Sequence, residues 1–240
     1  MTAAPLIFSA VSVGATLGGA HLILRRPAWA EAHLWRILAF GSGVLLAMTF
    51  LHLLPEAWGM NPRWASAAVL AALGGLFVLE EFTVVHACGE VAEHCVRHHV
   101  GYGALAALFL HSLADGLAIA FAFQSSERLG TAVALAVVVH KFSDGMTLSS
   151  LFLGAGHAPG RAGRLSTVLS LATPLGVLTG GFLGPRAAGP GLAVLLGLAG
   201  GGFLYVSMAD VLPRIHRNRD PWCWTFLVVG MIAGATLPHP

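Results

Sequence analysis

Charge is scarce in this chain of 240 residues: Asp, Glu, Lys and Arg together make up 10% of it, against roughly 25% in a soluble domain. A water-facing surface cannot be assembled from that supply. With 56% hydrophobic residues and a mean hydropathy of +0.78, the composition belongs in a bilayer. A formal net charge of +2, with nearly all arginines at predicted helix ends, leaves no basic face for nucleic acid. The three cysteines, Cys88, Cys95 and Cys223, include no CxxC pair and are odd in number, so they give no disulfide framework and define no redox compartment. No ATP-binding signature is present either. At about 20 apolar residues per crossing, the length accommodates eight spans and leaves no room for a soluble domain. The expectation is one transmembrane domain over 1–240.

What is abundant is apolar sequence punctuated by Pro, Gly and Arg. The runs predict helices at 5–24, 33–58, 64–85, 101–123, 131–153, 165–183, 189–212 and 222–237. The first lacks a basic leader and is followed by more apolar sequence, so it reads as a span and not as a cleaved signal peptide. Placing the N-terminus outside gathers Arg25, Arg26, Arg36, Arg97, Arg161, Arg164, Arg214, Arg217 and Arg219 on the inner side. The outer side then holds Arg63, Arg128 and Arg186. The positive-inside rule selects that orientation, and an even number of crossings puts both termini outside. The inner linker 87–100 is short and His-rich, carrying Glu90, Glu93, His94, Cys95, His98 and His99. A weak echo relates Leu51-His-Leu-Leu-Pro-Glu56, ending span two, to Ala209-Asp-Val-Leu-Pro-Arg214, ending span seven. The two helices run in opposite directions, as in an inverted repeat.

Two hexapeptides interrupt the apolar pattern: His111-Ser-Leu-Ala-Asp115-Gly116 in span four and His140-Lys-Phe-Ser-Asp144-Gly145 in span five. Residues four apart share a helical face. At about 1.5 Å rise per residue, His111 and Asp115 lie about 12 and 18 Å from the inner end of their span. His140 and Asp144 lie about 14 and 20 Å from the outer end of theirs. Antiparallel neighbours thus bring two imidazoles and two carboxylates to one depth. Taken singly, either pair is equally readable as a helix–helix hydrogen bond; together, they predict an intramembrane metal site between spans four and five. Imidazole and carboxylate suit zinc first, with Fe2+, Mn2+ and Cd2+ also compatible, and the missing thiolate pair argues against copper(I). Gly116 and Gly145 leave room for the partner helix to approach. Lys141 reads either as a structural ion pair with Asp115 or Asp144, or as a fixed cation within the metal site.

At these motifs the chain resembles the ZIP (Zrt/Irt-like protein) family of divalent metal transporters. The resemblance also covers His52-Leu-Leu-Pro-Glu-Ala57, Ala172-Thr-Pro-Leu-Gly176 and Leu204-Tyr-Val-Ser-Met-Ala-Asp-Val-Leu-Pro213. It implies that His111, Asp115, His140 and Asp144 are transport-site ligands. It further implies that zinc moves toward the cytoplasm as a substrate, with no resident cofactor, and that spans one, four, five and six move against the rest like an elevator. Many family members carry HNxPEG or HExPHE-like motifs that support a second metal. Here Ser112 and Lys141 replace those donors, and 165–183 holds no carboxylate. One metal per protomer is therefore expected, with an ammonium standing where a second dication would sit.

Other polar residues can be ordered along a path. His52, Glu56 and Glu127 are candidates for the outer entrance. Glu80, Glu81, His86 and Asp210 are candidates for the inner exit. His94, His98, His99 and Cys95 are candidates for cytoplasmic buffering, although their spacing matches no closed zinc site. Each set is also readable as ordinary solvated polar groups. The expected partners are a divalent ion and the lipid bilayer, a homodimer remains open, and the cell membrane is the expected location. The rival reading is an intramembrane zinc-dependent hydrolase, which needs an open metal position and a water-activating acid. A haem carrier using His111 and His140 would leave both aspartates without a role.

Overall fold

The structure is a computed structural model, and it describes residues 3–88, 96–183, 190–217 and 220–237. Among them it contains helices and no strands. The helices are α1 (Ala4–Arg25), α2 (Pro27–Met48), α3 (Leu54–Met60), α4 (Pro62–Cys88), α5 (Val96–Ser125), α6 (Glu127–Gly154), α7 (Pro159–Ser170), α8 (Ala172–Leu183), α9 (Pro190–Leu204), α10 (Leu212–Arg217) and α11 (Pro221–Ala235). Proline opens many of them, where its missing N–H is no loss. At α6, Ser126 accepts a capping hydrogen bond from the Leu129 N–H at 3.1 Å.

Among the described residues, six helical stretches are long and apolar enough to cross a membrane: Ala4–Arg25, Ala32–Met60, Leu105–Ser125, Glu127–Gly154, Pro159–Leu183 and Pro190–Ala209. Pro221–Ala235, expected in span eight, is a shorter apolar helix, and Pro62–Val78, expected in span three, is the apolar first part of α4. The chain is an all-α, multi-pass membrane protein. Two of its long stretches contain a π-helical turn, Thr49–Leu53 between α2 and α3 and Tyr205–Val211 between α9 and α10. Pro55 and Pro213 follow directly. A proline ring clashes with the carbonyl four residues back, and here those residues, Leu51 and Ala209, lie inside the wider turn. Pro174 has the same effect at Ser170, the last residue of α7, where the chain breaks before α8.

Helix α1 lies along α6, α5 along α8, α2 along α11 and α4 along α9, while α5 and α6 pack on each other. These contacts map onto one another when α1 is exchanged with α8, α2 with α9, α4 with α11 and α5 with α6. The tightest approaches follow the same exchange. A Cβ on Gly116 of α5 would overlap the Thr173 carbonyl oxygen of α8, and one on Gly176 would overlap that of Leu113. A Cβ on Gly145 of α6 would overlap the Thr16 carbonyl oxygen of α1, and one on Gly19 would overlap that of Phe142. The glycine after each aspartate thus serves α8 or α1, and not the contact between α5 and α6 that the motif suggested. The largest apolar cluster gathers α2, α5, α6 and α9, with Leu45, Met48, Ile119, Val133, Val137 and Leu196 buried in it. It surrounds the polar motifs.

Candidate metal centre

Four side chains from two helices converge: His111 and Asp115 of α5 with His140 and Asp144 of α6. One ligand atom from each lies within 4.8 Å of all the others. Asp115 Oδ2 is the hub, 3.5 Å from His111 Nε2 and 3.3 Å from His140 Nε2, while Asp144 Oδ2 is 3.7 Å from His140 Nε2. Zinc bound at about 2.0–2.1 Å in a tetrahedron separates its ligands by roughly 3.3–3.5 Å. Three of the six spacings are close to that and the widest is within 4.8 Å, so the groups must draw together to grip an ion. His111 Nε2, His140 Nε2 and Asp115 Oδ1 are buried without a hydrogen-bond partner. Buried polar atoms seldom stay orphaned, and a divalent cation is a partner that suits the lone pairs of this mixed set.

The orientation of His140 is fixed by the backbone. Its Nδ1 lies 3.3 Å from the Ala136 carbonyl oxygen, and a carbonyl can only accept. Nδ1 is thus the donor of that hydrogen bond, and Nε2 is the ring nitrogen turned to the centre. The ring faces that of His111 at 5.5 Å between centroids and meets Phe203 of α9 edge-on at 6.4 Å. Ser143 donates to the His140 carbonyl oxygen at 2.6 Å. Neither the Ala136 carbonyl nor Phe203 carries a sequence signal, since one is backbone and the other comes from a helix about sixty residues away.

Lys141 completes the cluster and is 1% exposed. Its Nζ lies 2.5 Å from Asp115 Oδ2 and 2.7 Å from Asp144 Oδ2, and donates to Ser112 Oγ at 2.8 Å. The ion pair is formed with both aspartates, within the cluster of His and Asp side chains. Ser112 belongs to the same cluster because it takes the third ammonium proton.

The remaining predicted residues lie elsewhere. His52 is buried in the first π-helical turn. Glu56 at the start of α3 accepts a short hydrogen bond from Ser125 Oγ at the end of α5. Glu127 is exposed in the first turn of α6, two residues beyond Ser125. Glu56 and Glu127 therefore both lie close to the turn that joins α5 to α6. Glu80, Glu81 and His86 fall on the last turns of α4 and Asp210 on the second π-helical turn, with their side chains outside the described residues. His94 and Cys95 are outside the described residues altogether. His98 and His99, expected in a linker, are on the first turns of α5, because that helix starts at Val96.

A multi-pass helical bundle with a buried His/Asp quartet and an embedded ammonium defines a membrane protein with a candidate divalent-cation centre. Comparison with known sequences gives the family. The ZIP zinc transporter family model matches residues 86–239, well over half of the chain, and the protein belongs to the ZIP zinc transporter family. It is 31% identical over 204 residues to zinc transporter ZIP13 of Pongo abelii, covering 79% of this chain and 61% of that protein. It is 29% identical over 252 aligned positions to ZIP13 of Homo sapiens, covering 80% and 67% respectively. Against zinc transporter ZIP4 of Homo sapiens the identity is 34% over 133 residues, 53% of this chain and 20% of that protein. The chain thus spans about three-fifths of the Pongo relative. All three are named zinc transporters, and the family to which the chain belongs is one of transporters.

Proposed function

We propose that this protein carries zinc across a membrane toward the cytoplasm, one ion per protomer, through His111, Asp115, His140 and Asp144. The single observation that carries the reading is the convergence of those four groups within 4.8 Å inside an apolar bundle. Two neutral imidazoles and two carboxylates compensate a dication without the near-irreversible hold of thiolates. Fe2+, Mn2+ and Cd2+ suit the same donors and are secondary substrates in this reading. Family membership and the names of the relatives support zinc.

The working architecture is eight crossings with both termini outside, related as an inverted repeat. The exchange pattern of the helix contacts and the paired π-turns before Pro55 and Pro213 support it. In an elevator-like cycle, α1, α5, α6, α7 and α8 move as one body against α2, α3, α4, α9, α10 and α11. Contacts within each set are more extensive than contacts between them. Zinc enters past His52, Glu56 and Glu127 and leaves past Glu80, Glu81, His86 and Asp210, while His94, Cys95, His98 and His99 buffer it inside. The cell membrane is the proposed site. A hydrolase reading is not pursued, since in this reading both carboxylates are ligands to the ion and the relatives are named transporters.

Uptake of radioactive zinc into proteoliposomes is the direct test. His111→Ala and Asp144→Ala should each lower uptake at least tenfold with the fold intact. Unchanged uptake in both removes these residues from the path. Equilibrium dialysis of the wild type should give one zinc per chain, and two would contradict the role given to Lys141.

A further inference from the structure

Lys141 is the chain's sole lysine, although twelve arginines sit beside it in the composition. That one compact ammonium is placed at the centre of the bundle, with each of its three protons facing a partner: Asp115 Oδ2, Asp144 Oδ2 and Ser112 Oγ. It touches the same carboxylate oxygens that face the histidine ring nitrogens. Other charged residues of α1, α5, α6, α7 and α8, namely Arg25, Arg97, Glu127, Arg128, Arg161 and Arg164, lie toward the span ends. The charge that travels with the site is therefore set by Asp115, Asp144, Lys141 and whatever ion is bound.

The sum is simple. Two carboxylates and one ammonium, with neutral imidazoles, give the empty site a charge of −1, and a dication makes it +1. Without the ammonium the values would be −2 and 0. The cost of holding net charge in a low-dielectric interior grows as its square. The lysine-free site would thus be cheap to move loaded and four times dearer than a single charge to return empty. With Lys141 the two journeys cost the same.

We propose that Lys141 is a tethered counter-cation that divides the electrical work of the cycle equally between the loaded and the empty step. It makes both steps voltage-sensitive and keeps the return of the empty site from limiting turnover. The proposal rests on the reading that this site is exposed alternately to the two sides. Net charge per cycle stays at that of one dication in either case. What Lys141 changes is which step carries it.

Two modes of tracer flux in proteoliposomes separate the steps, with the membrane potential clamped by potassium and valinomycin. Zinc self-exchange, with saturating zinc on both sides, uses only the loaded step, whereas net uptake into zinc-free vesicles also requires the empty return. A unit charge crossing the whole field shifts an inward–outward ratio by about 50-fold per 100 mV. Wild-type self-exchange should therefore change several-fold between 0 and −100 mV. In Lys141→Met, self-exchange should be insensitive to voltage, while net uptake becomes slower and more steeply voltage-dependent. Lys141→Arg, which keeps the charge but not the fit, should keep self-exchange voltage-dependent whatever its rate. Self-exchange in the wild type that ignores voltage, or in Lys141→Met that follows voltage as the wild type does, overturns the proposal. If the methionine variant does not fold, the wild-type and arginine measurements still decide. Absence of zinc flux in both modes of the wild type is a different failure, that of the transport reading itself.

Discussion

Asp115 Oδ2 faces Lys141 Nζ and both imidazole nitrogens at 2.5–3.5 Å, so replacing it by the neutral amide strips one counter-charge from a fully buried ammonium. Breaking a buried pair costs about 3–5 kcal/mol, and Asp144 retains part of the compensation. Asp115→Asn should therefore lower the melting temperature in detergent, abolish zinc binding and fold less well than Asp144→Asn, whose carboxylate is the more exposed of the two. Equal melting temperatures would show that Asp115 is not the hub. A second carboxylate, outside the bilayer, titrates differently. Asp220 caps α11 through the Trp222 N–H at 3.0 Å and accepts from Arg36 Nε at 2.8 Å. The Arg36 hydrogen bond, first, holds its carboxyl below the ordinary value. A depressed carboxyl contributes stability above its unfolded-state value and loses it as pH falls through the folded one. Asp220→Asn should thus lower the melting temperature at neutral pH and make no difference in acid below that window. The histidine–aspartate pairs were legible from sequence because spacing alone puts them on one face. The Ala136 carbonyl that orients His140 was not, because a backbone group is the same at every residue.

Helices α5 and α6 owe their position to backbone contact as much as to side chains. At Gly116 and Gly145 an added methyl has nowhere to go but into a carbonyl of α8 or α1. Overpacking of a close interface costs about 1–3 kcal/mol. Gly116→Ala and Gly145→Ala should each destabilise the bundle by that order and reduce uptake, whereas Gly14→Ala on α1, with nothing within 4 Å of the new atom, should do neither. A tolerated Gly116→Ala would mean that α5 and α8 separate easily despite their backbone contact. Most of these helices were readable from apolar runs and prolines. Their partners were less so, since hydropathy marks a buried stripe without naming what covers it. The π-turns escaped for a related reason: Pro55 and Pro213 announce a local defect, but widening by one residue leaves the hydrophobic pattern of so apolar a helix unchanged.

In the proposed cycle transport depends on movement of one helix set past the other, and two existing contacts separate that from a rigid alternative. Ser149 Oγ of α6 and Ser166 Oγ of α7 lie 3.0 Å apart within one set. Ser125 of α5 and Glu56 of α3 touch across the boundary between sets. A disulfide stapling each pair, introduced with Cys88, Cys95 and Cys223 replaced, asks whether those contacts persist through the cycle. Ser149→Cys/Ser166→Cys should transport zinc equally when oxidised and when reduced, because its partners travel together. Ser125→Cys/Glu56→Cys should transport when reduced and stop when oxidised, since the staple ties α5 to a helix it must slide along. Comparing the two redox states of one variant removes any loss due to Glu56 itself. Uptake that survives oxidation of the second pair would mean that the outer ends of α3 and α5 stay together while zinc passes. The site would then have to open by side-chain rearrangement around Asp115 and Lys141, with the two helix sets at rest.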